Sequence, residues 1–350
     1  MANKDLQRAK AAKNDEFYTQ IGDIQEELNH YIGKHGGKNH FKDKVVFCNC
    51  DDPTYSHFWY YFVSNFTELG LKKLIATHYD ENGKGHKLEL TREMVQKNDK
   101  YTIPKPKGND EYYEFMETPP RKPLSENGDF RSDECIKILK EADIVVTNPP
   151  FSLFREYLAQ LMEYKKDFLI IAPLGSVTYK EVFPLIKNNQ IWLGYGFRNG
   201  NAYFKNLGKN PSEFAKGVYN PETGLLKFRN VIWLTNLDHK KRHEKLILTE
   251  NYDKTLHLKY DNYDAINVDK TKDIPKDYDG VMGVPVSFLD KYNPEQFEII
   301  GIGTGESGKE LGVKKNYRGR TDITYTKNGV TKCPYSRILI KNKLLQKDKK

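Results

Sequence analysis

The residues with the clearest chemical potential are Asn148-Pro149-Pro150-Phe151, which follow the β-branched run 144–147. An amide oxygen and a backbone carbonyl can each accept one N–H hydrogen bond from the exocyclic amine of adenine or cytosine, which turns the nitrogen lone pair towards an electrophile. Asn148 supplies the amide and Pro149 the carbonyl, while Phe151 offers a stacking face for a base taken out of a duplex. Asn-Pro-Pro also ends strands as ordinary turn chemistry. The aromatic ring after it and the apolar strand before it favour the catalytic interpretation.

A central strand of a sheet has to position this tetrapeptide. Ile144, Val145 and Val146 form an apolar run too short for a helix and too unbroken for a half-exposed strand, which predicts a parallel strand covered on both faces. Pro149 donates no N–H and biases Asn148 towards extended geometry, so the chain leaves the sheet there. Because ligands bind at the carboxyl ends of strands in open α/β sheets, we expect a site at this strand end.

The remaining segments alternate in the order expected of an α/β fold. Strands are predicted at 44–49, 71–77, 168–172, 190–195 and 231–235, and helices at 56–69, 133–141 and 151–164. Residues 80–126 are polar and predicted to be irregular. Strands separated by helix-length segments imply a doubly wound sheet. We predict this α/β, Rossmann-like sheet over 40–236, after an N-terminal segment 1–39 and before a strand-and-loop region at 237–350.

Acidic residues follow successive predicted strands and suit a methyl donor that carries an amino acid and a nucleoside. Asp51 and Asp52, after the first strand, can hold a cationic amino group, and Asp80, after the second, can bind ribose hydroxyls. Asp129 and Phe130 could present a carboxylate to an adenine amine and a ring to its face. Loop carboxylates are usually only solvated. Their shared position at strand ends is what favours a binding site.

The net charge of +8 on 350 residues is concentrated at the C-terminal end. Residues 309–350 hold 13 Lys or Arg against 3 Asp or Glu, an excess of +10, which leaves about −2 on residues 1–308. Such a surface suits a polyanion, because Lys and Arg displace counterions from phosphates. The alternative is a solubilising terminus. The expected nucleic-acid contacts are Lys314, Lys315, Arg318 and Arg320.

Composition argues against several other classes of protein. A hydrophobic fraction of 38% suffices for a globular fold, and no apolar stretch approaches the roughly 18 residues that span a bilayer. The polar start has no signal-peptide core, so we expect a cytoplasmic protein without a membrane partner. The four cysteines show neither a disulfide framework nor the paired spacing of zinc ligands, and we predict no metal.

A glycine-rich segment, 303–309, satisfies the pattern G-x-G-x-x-G and nearly satisfies that of a phosphate-binding loop. Glu310 stands where such a loop has Ser or Thr, and residues 311–320 show no amphipathic helix that would aim its dipole at phosphates. We therefore predict a flexible loop here rather than a nucleotide site.

The chain resembles the class I S-adenosylmethionine-dependent adenine-N6 methyltransferases, and more closely the EcoRI modification methylase family. The resemblance covers most of the chain and is carried by residues 15–20, 47–53, 71–76, 148–151, 283–285 and 288–294. It implies a catalytic Asn-Pro-Pro-Phe and action as a monomer. It also implies contacts to S-adenosylmethionine from Tyr18, Thr19, Asn49, Cys50, Asp51, Asp52, Asp129 and Phe130. For the ribose hydroxyls, Glu81 is the alternative to its neighbour Asp80. One departure from the broader methyltransferase pattern is that the loop 48–53 contains no glycine.

The expected function is transfer of a methyl group from S-adenosylmethionine to N6 of an adenine flipped out of double-stranded DNA, with 237–350 gripping the DNA. Enzymes that methylate RNA adenine or a protein glutamine share similar motifs, but Phe151 rather than Tyr and the basic tail favour a nucleic-acid base. Cytosine-N4 is less expected because Asn, not Ser, opens the motif. A catalytically silent DNA-binding protein of this fold would show decayed cofactor sites.

Overall fold

The computed structural model describes residues 18–33, 37–50, 52–80, 83–105, 114–205, 214 and 217–347. Contacts divide the chain into two compact units. The first unit comprises Met1–Ser176 and Leu193–Asp238, and the second comprises Val177–Trp192 and His239–Lys350. The predicted functional regions 1–39, 40–236 and 237–350 stay predictions. Within the described part of the chain, no helix has the length and apolarity needed to cross a membrane.

The described strands, in chain order, are β1 (Tyr18–Thr19), β2 (Val45–Cys48), β3 (Lys73–His78), β4 (His86–Thr91), β5 (Pro104–Lys105), β6 (Glu114–Phe115), β7 (Lys122–Pro123), β8 (Ile144–Thr147), β9 (Asp167–Pro173), β10 (Trp192–Leu193), β11 (Ala202–Lys205), β12 (Tyr219–Asn220), β13 (Leu225–Phe228), β14 (Val231–Thr235), β15 (Ile266–Asn267), β16 (Met282–Pro285), β17 (Phe297–Ile302), β18 (Tyr325–Lys327), β19 (Val330–Lys332) and β20 (Arg337–Asn342).

The described α-helices are α1 (Ile21–Leu28), α2 (His57–Ser64), α3 (Phe66–Leu69), α4 (Arg92–Lys97), α5 (Asp133–Glu141), α6 (Phe154–Glu163), α7 (Phe183–Lys187), α8 (Gly305–Glu310) and α9 (Leu344–Lys347). Short 3-10 turns lie at Asp99–Tyr101, Phe151–Leu153, Leu174–Thr178, Arg198–Gly200, Lys240–His243, Thr271–Asp273 and Val286–Lys291.

The main sheet has eight strands in the order β10-β14-β9-β8-β2-β3-β4-β7. Its centre is parallel, because β8 pairs with β9 on one side and β2 on the other, and β2 also pairs with β3. The outer pairs β14 with β9 and β4 with β3 are antiparallel. All four residues of β8 are buried. The predicted central parallel strand before Asn148 is therefore confirmed, within a mixed α/β architecture.

The prediction that 80–126 is irregular is wrong in part, because β4 joins the main sheet there. In this strand Leu88 and Leu90 are buried, while Lys87 before them and Glu89 between them are not, an alternation typical of a half-exposed strand. The predicted helix 56–69 is interrupted at Asn65, whose side-chain amide donates to the Tyr61 carbonyl at 2.8 Å.

A second sheet of the first unit carries the start of the described chain. Its strand order is β1-β11-β13-β12, and every pair is antiparallel. Tyr18 pairs with Lys205 and Thr19 with Phe204. Helix α1 follows β1 directly. This sheet therefore fixes where the N-terminal Tyr-Thr segment lies.

The second unit has its own sheet, in the order β15-β16-β20-β17, and a separate hairpin formed by β18 and β19. The predicted flexible loop at 303–309 is wrong, because a short helix, α8, begins at Gly305. A Cβ on Gly308 would collide with the Thr321 carbonyl oxygen, and the Gly305 amide donates to the Asp322 carboxylate at 2.8 Å. The glycines there permit close packing.

Candidate active site

The Asn-Pro-Pro-Phe segment leaves the main sheet directly after β8. Asn148 is buried, and Pro150 precedes the 3-10 turn Phe151–Leu153 with extended geometry, φ −61° and ψ 121°. The Leu153 amide donates to the Pro150 carbonyl at 3.0 Å. The Phe151 ring is 6% exposed and packs into the core of the first unit. The segment thus lies between a buried strand on one side and a hydrogen-bonded 3-10 turn on the other.

Asn49, after β2, lies beside this turn and links it to α6. The Thr147 hydroxyl donates to the Asn49 carbonyl, and the Tyr157 hydroxyl donates to Asn49 Oδ1 at 2.5 Å. Burial raises the pKa of Tyr157, so the phenol stays a donor. The Phe130 ring packs edge-on against Tyr157, with 5.1 Å between ring centroids. The predicted residues Asn49, Phe130 and Asn148 are therefore brought to one edge of the sheet.

The loop after β2 contains no glycine, but Cys50 adopts the backbone conformation that a glycine would take there. Cys50 has φ +79°, a left-handed backbone conformation that glycine adopts without strain. The loop therefore makes a glycine-like turn with a cysteine. Asp51 lies outside the described residues.

Asp52 faces the end of the neighbouring strand β3. Its Oδ1 accepts from the Thr54 amide at 2.8 Å, and its Oδ2 lies 3.8 Å from His78 Nδ1, an ion pair whenever that histidine is protonated. The side chain is 16% exposed. Asp52 thus retains accessible carboxylate surface at the strand ends.

The segment 126–129 packs against the end of β3. Gly128 has φ +83°, and a Cβ there would collide with the His78 carbonyl oxygen, so only glycine fits. The Asp80 amide donates to the Asn127 carbonyl at 2.8 Å. The close approach brings Asp80 and Asp129 to the same edge as Asn49 and Asn148.

Asp129 is held by Arg131, a residue that the sequence analysis did not identify. Arg131 donates to Asp129 Oδ1 at 3.0 Å and to Oδ2 at 2.7 Å, and also to Glu156 of α6 at 3.0 Å. The hydrogen bonds from Arg131 lower the pKa of Asp129, so the carboxylate is ionised at neutral pH. Oδ1 also accepts from the Arg131 backbone amide at 2.8 Å, so both of its acceptor positions are filled. The orientation of the carboxylate is fixed, and Oδ2 keeps acceptor capacity for a ligand amine.

Tyr18 and Thr19 lie next to the residues that follow the β2 loop. The His57 Nδ1 atom is 2.6 Å from the Thr19 carbonyl oxygen, and the Tyr18 and Tyr55 rings meet edge-on at 6.3 Å. Both Tyr18 and Thr19 are buried. The predicted N-terminal contribution to the site is therefore close to the first strand end.

A buried carboxylate, Glu27 of α1, anchors this N-terminal segment and was also missed. Glu27 is 0% exposed and accepts from the Tyr195 and Gly196 amides at 2.8 and 2.9 Å and from the Tyr31 hydroxyl at 2.9 Å. A Cβ on Gly194 would collide with Glu27 Oε1. The sequence feature that could have indicated this contact is Gly194-Tyr195-Gly196, because the two glycines allow the backbone to approach a carboxylate closely.

The predicted cationic residues lie in a loop of the second unit whose backbone is well held. Asn316 Oδ1 accepts from the Arg318 and Arg320 amides at 2.9 and 3.2 Å, and Asn262 Nδ2 donates to the Lys314 carbonyl at 2.7 Å. The side chains themselves are exposed, and none pairs with a described carboxylate. The four cations are Lys314, Lys315, Arg318 and Arg320. Within the described part of the chain no cluster of three metal-ligating side chains occurs.

Comparison with known proteins gives a consistent result along nearly the whole chain. The sequence model of the family described as adenine-specific methyltransferase EcoRI matches residues 5–343. The chain is 48% identical to the Type II methyltransferase M.EcoRI of Escherichia coli, over 99% of this chain and 98% of that protein. It is 36% identical to the Type II methyltransferase M.MpnI of Mycoplasma pneumoniae, over 96% and 97%. No solved structure matches the chain significantly.

Proposed function

Because the chain belongs to the EcoRI family of adenine-specific methyltransferases, we propose that it methylates N6 of an adenine flipped out of double-stranded DNA. It is a site-specific DNA adenine methyltransferase, and its methyl donor is S-adenosylmethionine. The observation that supports the role of the site is the position of Asn148-Pro149-Pro150-Phe151 at the carboxyl end of a buried central parallel strand.

In this proposal Asn148 and the Pro149 carbonyl accept the two N–H groups of adenine, so that its N6 lone pair points at the donor. S-Adenosylmethionine supplies an electrophilic methyl group on a sulfonium. Adenine N6 gains that methyl group and loses one proton, and the donor leaves as the neutral thioether. Phe151 would stack on the flipped base. No covalent intermediate with the protein is required.

The residues at the strand ends fit the donor chemically. Asp129 is an ionised carboxylate suited to the adenine amine of the donor, with Phe130 beside its ring. Asp52, together with Asp51, suits the cationic amino group, and Asp80 suits the ribose hydroxyls. The left-handed turn at Cys50 supports this assignment, because such a turn lets the backbone approach a ligand closely. The remaining proposed contacts are Tyr18, Thr19 and Asn49.

The proposal also assigns a role to each large region of the chain. A parallel centre with antiparallel edges is compatible with a doubly wound, Rossmann-like sheet spanning 40–236. The region 237–350 would bind DNA, with Lys314, Lys315, Arg318 and Arg320 on phosphates. We propose that the enzyme acts as a monomer in the cytoplasm.

Transfer of a tritiated methyl group from S-adenosylmethionine tests the proposal. Unmethylated duplex DNA, RNA and protein are offered separately, and the product is digested and identified by chromatography. We expect label only in DNA, as N6-methyladenine. Label in RNA, in glutamine or at cytosine N4, or no transfer at all, would contradict it.

A further inference from the structure

The hairpin β18–β19 does not pair with the four-stranded sheet of the second unit. Tyr325 pairs with Lys332 and Lys327 with Val330, and the hairpin forms a two-stranded sheet of its own. Asn328 and Gly329 have φ +53° and +74°, the two left-handed residues of a tight type I′ turn. The hairpin is therefore a short, regular ribbon with a well-defined tip.

Beyond Tyr325, this ribbon contributes almost nothing to a core. Residues 326–332 are all exposed, including Val330 at 59%, and Tyr335 after the hairpin is 94% exposed. An isolated two-stranded hairpin is only marginally stable in water. Its foot is held instead, because Tyr325 packs on Tyr260 and the Thr326 hydroxyl donates to Asp261 at 2.9 Å. The structure thus presents an anchored ribbon with both faces open.

The ribbon continues the cationic loop described above. Residues 314–335 contain 6 Lys or Arg and 1 acidic residue, a local charge of +5. The acidic residue, Asp322, is engaged by the Gly305 amide. Asn262 joins the loop to the start of the hairpin, because its Nδ2 donates to the Lys314 carbonyl at 2.7 Å and its Oδ1 accepts from the Thr324 amide at 2.9 Å. The charge of 314–335 complements a polyanion.

We propose that the hairpin 325–332 enters the major groove of duplex DNA and reads base edges, while the loop 314–320 holds the flanking phosphates. The inference rests on the proposed function for its substrate, DNA. The major groove of B-form DNA, about 12 Å wide, admits a two-stranded ribbon, whereas the deep, narrow groove of A-form RNA does not. Lysine, asparagine and threonine hydrogen-bond base edges, and valine suits a thymine methyl group.

The tip offers a conservative test, because Asn328→Gly removes a side chain but keeps the left-handed turn. Lys327→Ala, Val330→Ala and Lys332→Ala complete the set, and Lys272→Ala, an exposed lysine of the same unit, is the matched control. Because residues 326–332 are exposed, all variants should keep the melting temperature of the wild type. N6-methyladenine is mapped in DNA of mixed sequence, first with the wild type to define its recognition motif.

We expect at least one hairpin variant to lose about ten- to a hundredfold discrimination at one base pair of that motif, with unchanged binding of S-adenosylmethionine. The control should keep the wild-type motif. Unchanged motifs in every hairpin variant would overturn the inference, as would a uniform loss of DNA affinity with the motif intact. If the wild type methylates no DNA, the proposed function fails instead, which this design separates from failure of the hairpin alone.

Discussion

The strand-end site and the cationic surface 314–335 differ in how their polar side chains are held. In the first, polar side chains such as Asn49 and Asp129 are held by named partners, Tyr157 and Arg131. In the second, the backbone is held by Asn262 and Asn316, while the cationic side chains extend into solvent. Fixed acceptors suit a reaction whose geometry must be exact to a fraction of an ångström. Exposed cationic side chains suit attraction to a phosphate backbone.

The largest expected effect comes from removing the amide of the strand-end site. Asn148→Ala deletes one of two proposed acceptors for adenine N6, and we expect methyl transfer to fall by on the order of a thousandfold. Binding of S-adenosylmethionine should stay within about twofold, because the proposed donor contacts lie on other residues. Single-turnover transfer of tritiated methyl groups and isothermal titration calorimetry measure the two quantities.

A matched control for this variant is Asn220→Ala, an exposed asparagine of the first unit, which should keep full activity. Retained turnover in Asn148→Ala would remove the role assigned to the amide. Loss of donor binding in parallel with turnover would show instead that Asn148 belongs to the cofactor site.

The next prediction asks whether Glu27, a buried carboxylate outside the strand-end site, supports binding of the methyl donor. Glu27→Gln keeps the shape of the side chain but sets its NH2 group against the Tyr195 or Gly196 amide, leaving a buried donor unpaired. Since α1 follows Tyr18 and Thr19, we expect KM for S-adenosylmethionine to rise about tenfold, with little change in kcat at saturation.

Glu26→Gln is the matched control, because Glu26 is the exposed neighbour on the same helix. Gly194→Ala disrupts the same contact from the other side and should show the same split between KM and kcat. Equal donor KM in wild type, Glu27→Gln and Gly194→Ala would limit Glu27 to a structural role.

These two residues also show what the sequence could and could not predict. Asn148 was predictable because its signal is local: an apolar run, then Asn-Pro-Pro, dictates both the strand and its end. Glu27 was not, because its partner Tyr195 is 168 residues away and no local periodicity encodes that contact. The left-handed conformation of Cys50 was not predicted either, since such a turn is expected at glycine and not at cysteine.

The fold shows the same contrast between elements with a local sequence signal and elements that depend on contacts distant in sequence. The central strands and the helices after them were predicted because each carries its own hydrophobic pattern. Strand β4 was overlooked because charged residues alternate with its two leucines, Leu88 and Leu90, and the segment looked polar overall. Glu89 there accepts from Lys122 at 2.7 Å and pairs with Lys73 at 2.9 Å, so its polar face is stabilised by tertiary contacts.

A smaller effect is expected from the cationic loop, since each of its contacts is solvent-screened. Lys314→Ala/Lys315→Ala should weaken DNA binding about tenfold and reduce the slope of log affinity against log salt by about 2, for any DNA sequence. Lys270→Ala/Lys272→Ala removes the same charge from exposed positions of the same unit. Fluorescence anisotropy across a salt series measures both. Equal slopes in the two double variants would place the DNA elsewhere.

The smallest effect concerns Asp23, which lies on α1 four residues before Glu27. Burial raises the pKa of Asp23 to about 6, and its Oδ2 is buried without a hydrogen bond to any described group. The folded state therefore holds a proton that the unfolded chain releases near the ordinary value of 3.8, so stability falls as pH rises from about 4 to about 6. Above that window the full penalty remains.

Asp23→Asn removes this titration, and we expect it to raise the free energy of unfolding at pH 8 by about 1 kcal/mol, after allowance for partial exposure, with the gain shrinking below pH 5. Thermal unfolding at several pH values measures it, with Glu163→Gln, which removes an exposed carboxylate of α6, as the control. A gain that is constant with pH would trace the effect to packing rather than ionisation. A gain confined to high pH would show that the fold opposes the charge of Asp23, in contrast to Glu27 on the same helix, which accepts from two backbone amides and the Tyr31 hydroxyl.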